Sequence, residues 1–137
     1  MMRVLVIEDN PFNLELFQDL LEVAGHTVFT SMDAEAGIAQ ARQSLPDIIV
    51  MDIGLPGMDG LQAVRLLRQD DRTKGITVVA VTAHAMKEDG ERVRAAGCDG
   101  YITKPVNTRT FVSDLEAHLA DSQNPTQPAA SADGESG

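Results

Sequence analysis

Five short apolar runs, each followed by a stretch with helical spacing, constrain the fold of this chain more than any other feature. The runs are "RVLVI" (3–7), "HTVFT" (26–30), "DIIVM" (47–51), "ITVVAVT" (76–82) and "GYIT" (100–103). Repeated strand–helix alternation implies parallel strands joined by right-handed crossovers, with helices covering both faces of one sheet. The first, third and fourth runs are apolar without alternation, as central strands buried on both faces must be. The expected architecture is therefore α/β, a doubly wound (βα)5 parallel sheet with strand order 2-1-3-4-5.

The intervening segments carry helix punctuation. "NPFNLELFQDLLEVAG" has Pro11 in its first turn and Gly25 as a stop. Asp33 is the expected N-cap of a helix over 33–45, which Pro46 ends. Helices are also expected over 60–69, where Asp59 and Gly60 read as a turn and N-cap, over 87–97, and over 108–120 with Thr108 as cap. Residues 1–120 then form one domain. From Asp121 onward no aliphatic residue is larger than alanine and no aromatic occurs. Such a segment buries too little surface to order itself, so 121–137 reads as a disordered tail.

Composition narrows the classes of function. The chain has 137 residues, 43% of them hydrophobic, which suits one domain with a real core. No apolar run is long enough for a membrane-spanning helix. The opening "MMRVLVIED" meets acids instead of a small-residue cleavage site, so no signal peptide is expected. Cys98 is the only cysteine, which excludes an intrachain disulfide and fits a reducing cytoplasm; it reads as a small buried residue. A net charge of −10 argues against binding nucleic acid or an anionic membrane.

"PDIIVMDIGLPGMDG" (46–60) poses the chemical question, because Asp52 directly follows a buried strand. A carboxylate there is costly unless it is paired, solvated or bound to metal. In open parallel sheets, ligands bind beyond the carboxyl ends of the strands. Strand one ends in Glu8 and Asp9, strand three in Asp52, strand four in Thr82 and Ala83, and strand five leads into Lys104. Three carboxylates, a hydroxyl and an ammonium thus meet on one rim, while strand two offers only Thr30 and Ser31. Clustered carboxylates repel one another, and oxygen ligands of this kind are what Mg²⁺ takes. Asp52 is therefore expected in a divalent-cation site, with Lys104 as a second positive charge and the following glycines letting the loop approach. Singly, each group has a plainer role: Glu8 and Asp9 as a helix N-cap pair, Thr82 as a strand end, Lys104 as a surface lysine. The plainer roles do not explain why all five share one sheet edge.

"VLVIEDN", "DIIVMDIGLPGMDG", "VVAVTAHA" and "GYITKP" together resemble the receiver domain of two-component response regulators, whose sheet is flavodoxin-like. The likeness spans residues 3–120 and includes stand-alone receivers as well as those embedded in hybrid histidine kinases. It implies that Asp52 accepts a phosphoryl group from a phosphohistidine. It implies that Asp9, Asp52 and the Gly54 carbonyl hold Mg²⁺, with Glu8 acting through water. Thr82, Ala83 and Lys104 would then bind the phosphoryl group, Tyr101 would be the switching aromatic, and Lys104–Pro105 a cis peptide. Gly54 often carries a larger side chain in the family, so Gly54 and His84 are expected to tune hydrolysis. The implied partners are a histidine kinase or histidine phosphotransferase and downstream protein targets. No activity is expected beyond the domain's own phosphorylation and dephosphorylation, and the expected state is a monomer or weak dimer.

A Mg²⁺-dependent aspartyl phosphatase is disfavoured, because its second aspartate would stand where this chain has Gly54. A flavodoxin-like cofactor carrier is disfavoured by Glu8 and Asp9, which would repel phosphate after the first strand. Helix one carries more apolar residues than one buried face needs: Phe12, Leu14, Leu16, Phe17, Leu20, Leu21, Val23 and Ala24. Phe12 and Leu16 are expected together at its edge near Glu8 and Asp9, as a partner-docking surface.

Overall fold

The computed structural model describes residues 1–55, 57–83 and 87–122. Strands β1 (Arg3–Ile7), β2 (Thr27–Ser31), β3 (Ile48–Asp52), β4 (Thr77–Thr82) and β5 (Gly100–Thr103) alternate with helices α1 (Pro11–Val23), α2 (Ala34–Ser44), α3 (Gly60–Gln69), α4 (Lys87–Ala96) and α5 (Phe111–Ser122). All four strand pairings are parallel. The sheet order is β2-β1-β3-β4-β5, as expected from the alternation.

The uninterrupted apolar strands have a direct physical outcome. Successive side chains of a strand point to opposite faces, so β1, β3 and β4 feed two separate cores. Leu5, Ile7, Ile49, Met51, Val78 and Ala80 pack with Ile38, Leu61, Val64, Leu67 and Val93 from α2, α3 and α4. Val4, Val6, Ile48, Val50, Val79 and Val81 pack with Phe17, Leu21, Phe111 and Leu115 from α1 and α5. Phe17 and Phe111 stack with ring centroids 4.9 Å apart, joining those two helices.

Two of the expected caps, Asp33 and Asp59, are found in the structure. Asn10 caps α1 by accepting from the Asn13 N–H, Asp33 caps α2 from Ala36, and Asp59 caps α3 from Gln62. The cap of α1 is thus Asn10, not Glu8 or Asp9, which leaves those carboxylates for the rim. The last helix departs from expectation: α5 begins at Phe111, not Thr108. Residues 108–110 form a turn in which Asn107 does the capping; its side chain accepts from the Arg109 N–H and its carbonyl from the Phe111 N–H. α5 also runs through Asp121 and Ser122, beyond its expected end. The expected tail from 123 onward and His84 lie outside the described residues.

Three strands, β2, β3 and β4, start one residue later than expected, β4 at Thr77. β3 begins at Ile48 because Asp47 turns its carboxylate back to the Arg3 N–H, at 2.8 Å. β2 begins at Thr27; the His26 ring accepts from the Met2 N–H and meets Glu116 of α5, both at 2.9 Å. Cys98 is buried, and burial pushes its thiol up to about 12, so it is inert packing as expected.

Gly60 shows how the fold sets up its functional edge. A Cβ there would lie 2.5 Å from the Asp52 carbonyl oxygen and 2.6 Å from the Ile53 Cα. The start of α3 therefore packs directly against the backbone that carries Asp52. Only a residue without a side chain allows that approach.

Candidate functional site

The carboxyl edge of the sheet opens into a cleft of about 500 Å³. Glu8 and Asp9 enter from the end of β1, Asp52 from the last residue of β3, Thr82 from the end of β4 and Lys104 from beyond β5. Glu8, Asp52 and Thr82 are buried. Oxygens of Glu8, Asp9 and Asp52 lie within 4.8 Å of one another. The convergence expected from four separate segments is what the fold produces.

Each buried charge has identifiable support. Lys104 Nζ lies 3.2 Å from Glu8 Oε1 and 3.2 Å from Asp52 Oδ2. The Gly54 N–H donates to Asp52 Oδ1 at 2.9 Å, and the Asn10 N–H donates to Glu8 Oε2 at 3.1 Å. Burial pushes the Glu8 carboxyl up to about 7, helped by its hydrogen bond with Asp52. Burial also works to raise Asp52, but the hydrogen bond to Glu8, the Gly54 N–H and Lys104 outweigh it and hold Asp52 below the ordinary carboxylate range. The surroundings thus disfavour charge on Glu8 and favour it on Asp52. Burial disfavours the Lys104 charge, yet Asp52 and Glu8 outweigh that and keep the ammonium above its usual range.

Glu8 Oε1 supplies the test of fit for a metal. It is buried and accepts no hydrogen bond, because the nearby ammonium is close enough for attraction but not aligned to donate. A buried carboxylate oxygen without a donor is costly. Three carboxylates around one point with such an orphaned oxygen fit a hard divalent cation that takes oxygen ligands.

The other expected residues fall in different places. Ala83 and Gly54 line the cleft. A Cβ on Gly54 would meet only Asp52 Oδ1, at an ordinary 3.5 Å, so this position has room for a larger residue. Tyr101 is half-buried and does not line the cleft; its ring edge faces Gly90 of α4, 3.5 Å from where a Cβ would stand. Lys104–Pro105 is cis, as expected. Phe12 is 74% exposed, whereas Leu16 is half-buried against the α1–α5 core. Both line a shallow groove of about 370 Å³ together with Lys104, Pro105 and Val106. Sequence reasoning missed Asn10, Asn13 and Arg92, which also line the cleft. Asn10 was findable as a residue favoured at helix starts just before Pro11; Arg92, on a weakly patterned helix, carried no signal.

A 2-1-3-4-5 parallel sheet with clustered acids and one lysine at its carboxyl edge defines the receiver class of two-component signalling. The chain belongs to the response regulator receiver domain family, which it matches over residues 4–116. It is 41% identical to the polar-differentiation response regulator DivK of Brucella anthropi over 118 residues, 86% of this chain and 96% of that protein. Among solved structures it resembles the chemotaxis response regulator CheY4 of Vibrio cholerae, with TM-score 0.82 and 26% identity over 86% of this chain and 98% of that one. It also resembles the receiver domain of a Pseudomonas aeruginosa sensor histidine kinase, with TM-score 0.79 and 28% identity over 87% and 98%. That structure has a magnesium ion coordinated in its active-site cleft.

Proposed function

We propose that this chain is a phosphorylation-activated response regulator whose acceptor is Asp52. The observation that carries the reading is a buried Asp52 held between the Gly54 N–H and Lys104, beside two further carboxylates. An Asp52 oxygen attacks the phosphorus of a phosphohistidine; the new O–P bond forms as the P–N bond breaks, and the electron pair leaves with the imidazole, which regains a proton. Asp9 and Asp52, with the Gly54 carbonyl and with Glu8 through water, would hold Mg²⁺, which supplies charge neutralisation for the phosphoryl oxygens. Lys104 adds a fixed positive charge. Phosphoryl transfer is largely a matter of positioning and electrostatics, so these groups suffice.

The readout is conformational. Phosphorylation adds about −1.5 to −2 charges and three acceptor oxygens. New bonds to Thr82, the Ala83 backbone and Lys104, at roughly 1.5–3 kcal/mol for each charged contact, reach the ~5.5 kcal/mol that moves a two-state equilibrium from about 1:99 to 99:1. Tyr101, against α4, transmits the change to protein targets. Gly54 and His84 set the phosphoryl lifetime. The domain works as a monomer or weak dimer in the cytoplasm, consistent with a buried lone cysteine and with no described helix long and apolar enough to cross a membrane. Incubation with acetyl phosphate and Mg²⁺ tests the reading: one phosphoryl adduct, mapping to Asp52, is expected by mass spectrometry. An unlabelled protein, or an adduct mapping elsewhere, would overturn it.

Two further outcomes follow from the geometry. Asp9→Ala removes a charged oxygen ligand, so Mg²⁺ affinity measured by calorimetry should fall at least about tenfold. The metal-free variant should melt higher than wild type, because repulsion among three carboxylates is relieved. An unchanged Mg²⁺ titration removes Asp9 from the metal site.

The groove at Phe12 and Leu16 is the proposed docking surface for the histidine kinase or phosphotransferase. Leu16→Ala should slow transfer from a phosphohistidine protein more than about tenfold, the loss expected for a central apolar anchor. Labelling by acetyl phosphate, a small donor that needs no docking, should be nearly unchanged. Since Leu16 also touches the core, Phe12→Ala serves as the exposed control and should slow protein-to-protein transfer without lowering the melting temperature. Equal slowing with both donors shows that Leu16 acts only through the fold.

A further inference from the structure

Arg92 lines the same cleft as Asp52, Thr82 and Lys104. It stands on α4 beside the buried Val93, about a quarter-turn around the helix from it. That places it on the flank of the helix, exposed to solvent and with an interaction of its own. Among the described residues, the cations in the lining are Lys104 and Arg92.

Charge balance gives Arg92 a task. Glu8, Asp9 and Asp52 contribute three negative charges when ionised, and Lys104 contributes one positive charge. A divalent cation bound by these acids brings the sum to zero. Phosphorylation replaces the Asp52 carboxylate with a group carrying about −1.5 to −2 charges, which leaves a deficit of up to about one positive charge. Lys104 is already shared between Glu8 and Asp52, at 3.2 Å from each. A guanidinium has a planar fork of donors that matches phosphoryl oxygens bidentately, and a long stem that reaches from a helix flank.

We propose that Arg92 is a second cationic contact for the phosphoryl group, a positioning residue that binds its outer oxygens once Asp52 is phosphorylated. The inference rests on Asp52 being the phosphoacceptor. Beryllofluoride, a non-covalent stand-in for the phosphoryl group on an aspartate, separates the two claims. Its binding at saturating Mg²⁺ is measured for wild type, Arg92→Ala and Arg92→Lys, alongside Mg²⁺ affinity without fluoride. The expected result is about tenfold weaker beryllofluoride binding for Arg92→Ala, the loss of one solvent-screened charged contact. Arg92→Lys should recover only part of that loss, since an ammonium keeps the charge but not the fork, and Mg²⁺ affinity should be unchanged or slightly tighter in Arg92→Ala. Beryllofluoride binding by Arg92→Ala within about twofold of wild type overturns the role of Arg92 while leaving Asp52 in place. A parallel loss of Mg²⁺ affinity overturns it too, since Arg92 would then support the fold of the site. A wild type that binds no beryllofluoride removes the acceptor reading and this inference together.

Discussion

Asp52→Asn is expected to take up no phosphoryl group from acetyl phosphate and Mg²⁺, or from a phosphohistidine protein, while folding normally. The amide keeps the size of the carboxylate, and its oxygen can still accept the Gly54 N–H that Asp52 Oδ1 accepts at 2.9 Å. Lys104 keeps Glu8 as a partner at 3.2 Å. What is lost is the anionic nucleophile, and an amide oxygen does not replace it. Removing one of three clustered carboxylates also relieves repulsion, so the melting temperature of the metal-free variant should not fall. Intact mass and a thermal melt on the same sample decide the matter. A wild-type adduct on Asp52→Asn would place the acceptor elsewhere, and Asp9, in the same cleft, would be the first residue to map.

Much of this site could be read from the sequence because the fold itself is patterned there. "DIIVM" and "ITVVAVT" announce strands buried on both faces, and the strand order follows from alternation with helices. Asp52 stood out because a carboxylate at the end of such a run needs an explanation, and Lys104 because it directly follows the fifth strand at the same sheet edge. Properties that depend on three-dimensional neighbours were not legible. That the Glu8 carboxyl is pushed up by burial, and that its Oε1 lacks a donor, are consequences of burial and alignment that no spacing encodes. The cap of α5 was misread because Thr108 and Asn107 are adjacent polar residues and both suit a helix start. The choice fell to Asn107 through a turn the sequence pattern does not resolve. Helix α1 shows the same limit: its apolar wheel is broad, and only packing shows that Phe17 and Leu21 are buried while Phe12 and Val23 are open.

The metal-free protein should lose stability as pH rises from about 4.5 to about 7, and Mg²⁺ should remove that loss. Glu8 has a folded-state value of about 7 against 4.5 for the free side chain. A carboxyl raised in the folded state binds its proton more tightly there than in the unfolded chain. Its contribution is fully present below 4.5 and is lost as pH rises through about 7. The gap between those values corresponds to about 3 kcal/mol. Asp52 has the opposite sign, since its folded value lies below the usual 3.8. Its stabilisation is present above 3.8 and disappears only in stronger acid, so it does not offset Glu8 in this window. The diagnostic quantity is the difference between wild type and Glu8→Gln, which isolates this one carboxyl. That variant keeps the shape of the side chain without a proton to lose, and it should flatten the decline by most of the 3 kcal/mol or so. With the proposed Mg²⁺ held by the ionised carboxylates, its stabilising effect on wild type should grow over the same interval and be much smaller for Glu8→Gln. Denaturant melts at several pH values, with and without Mg²⁺, measure both effects. An equal slope in the two proteins would mean that Glu8 is ionised throughout, and Lys104 alone would then have to neutralise the buried pair.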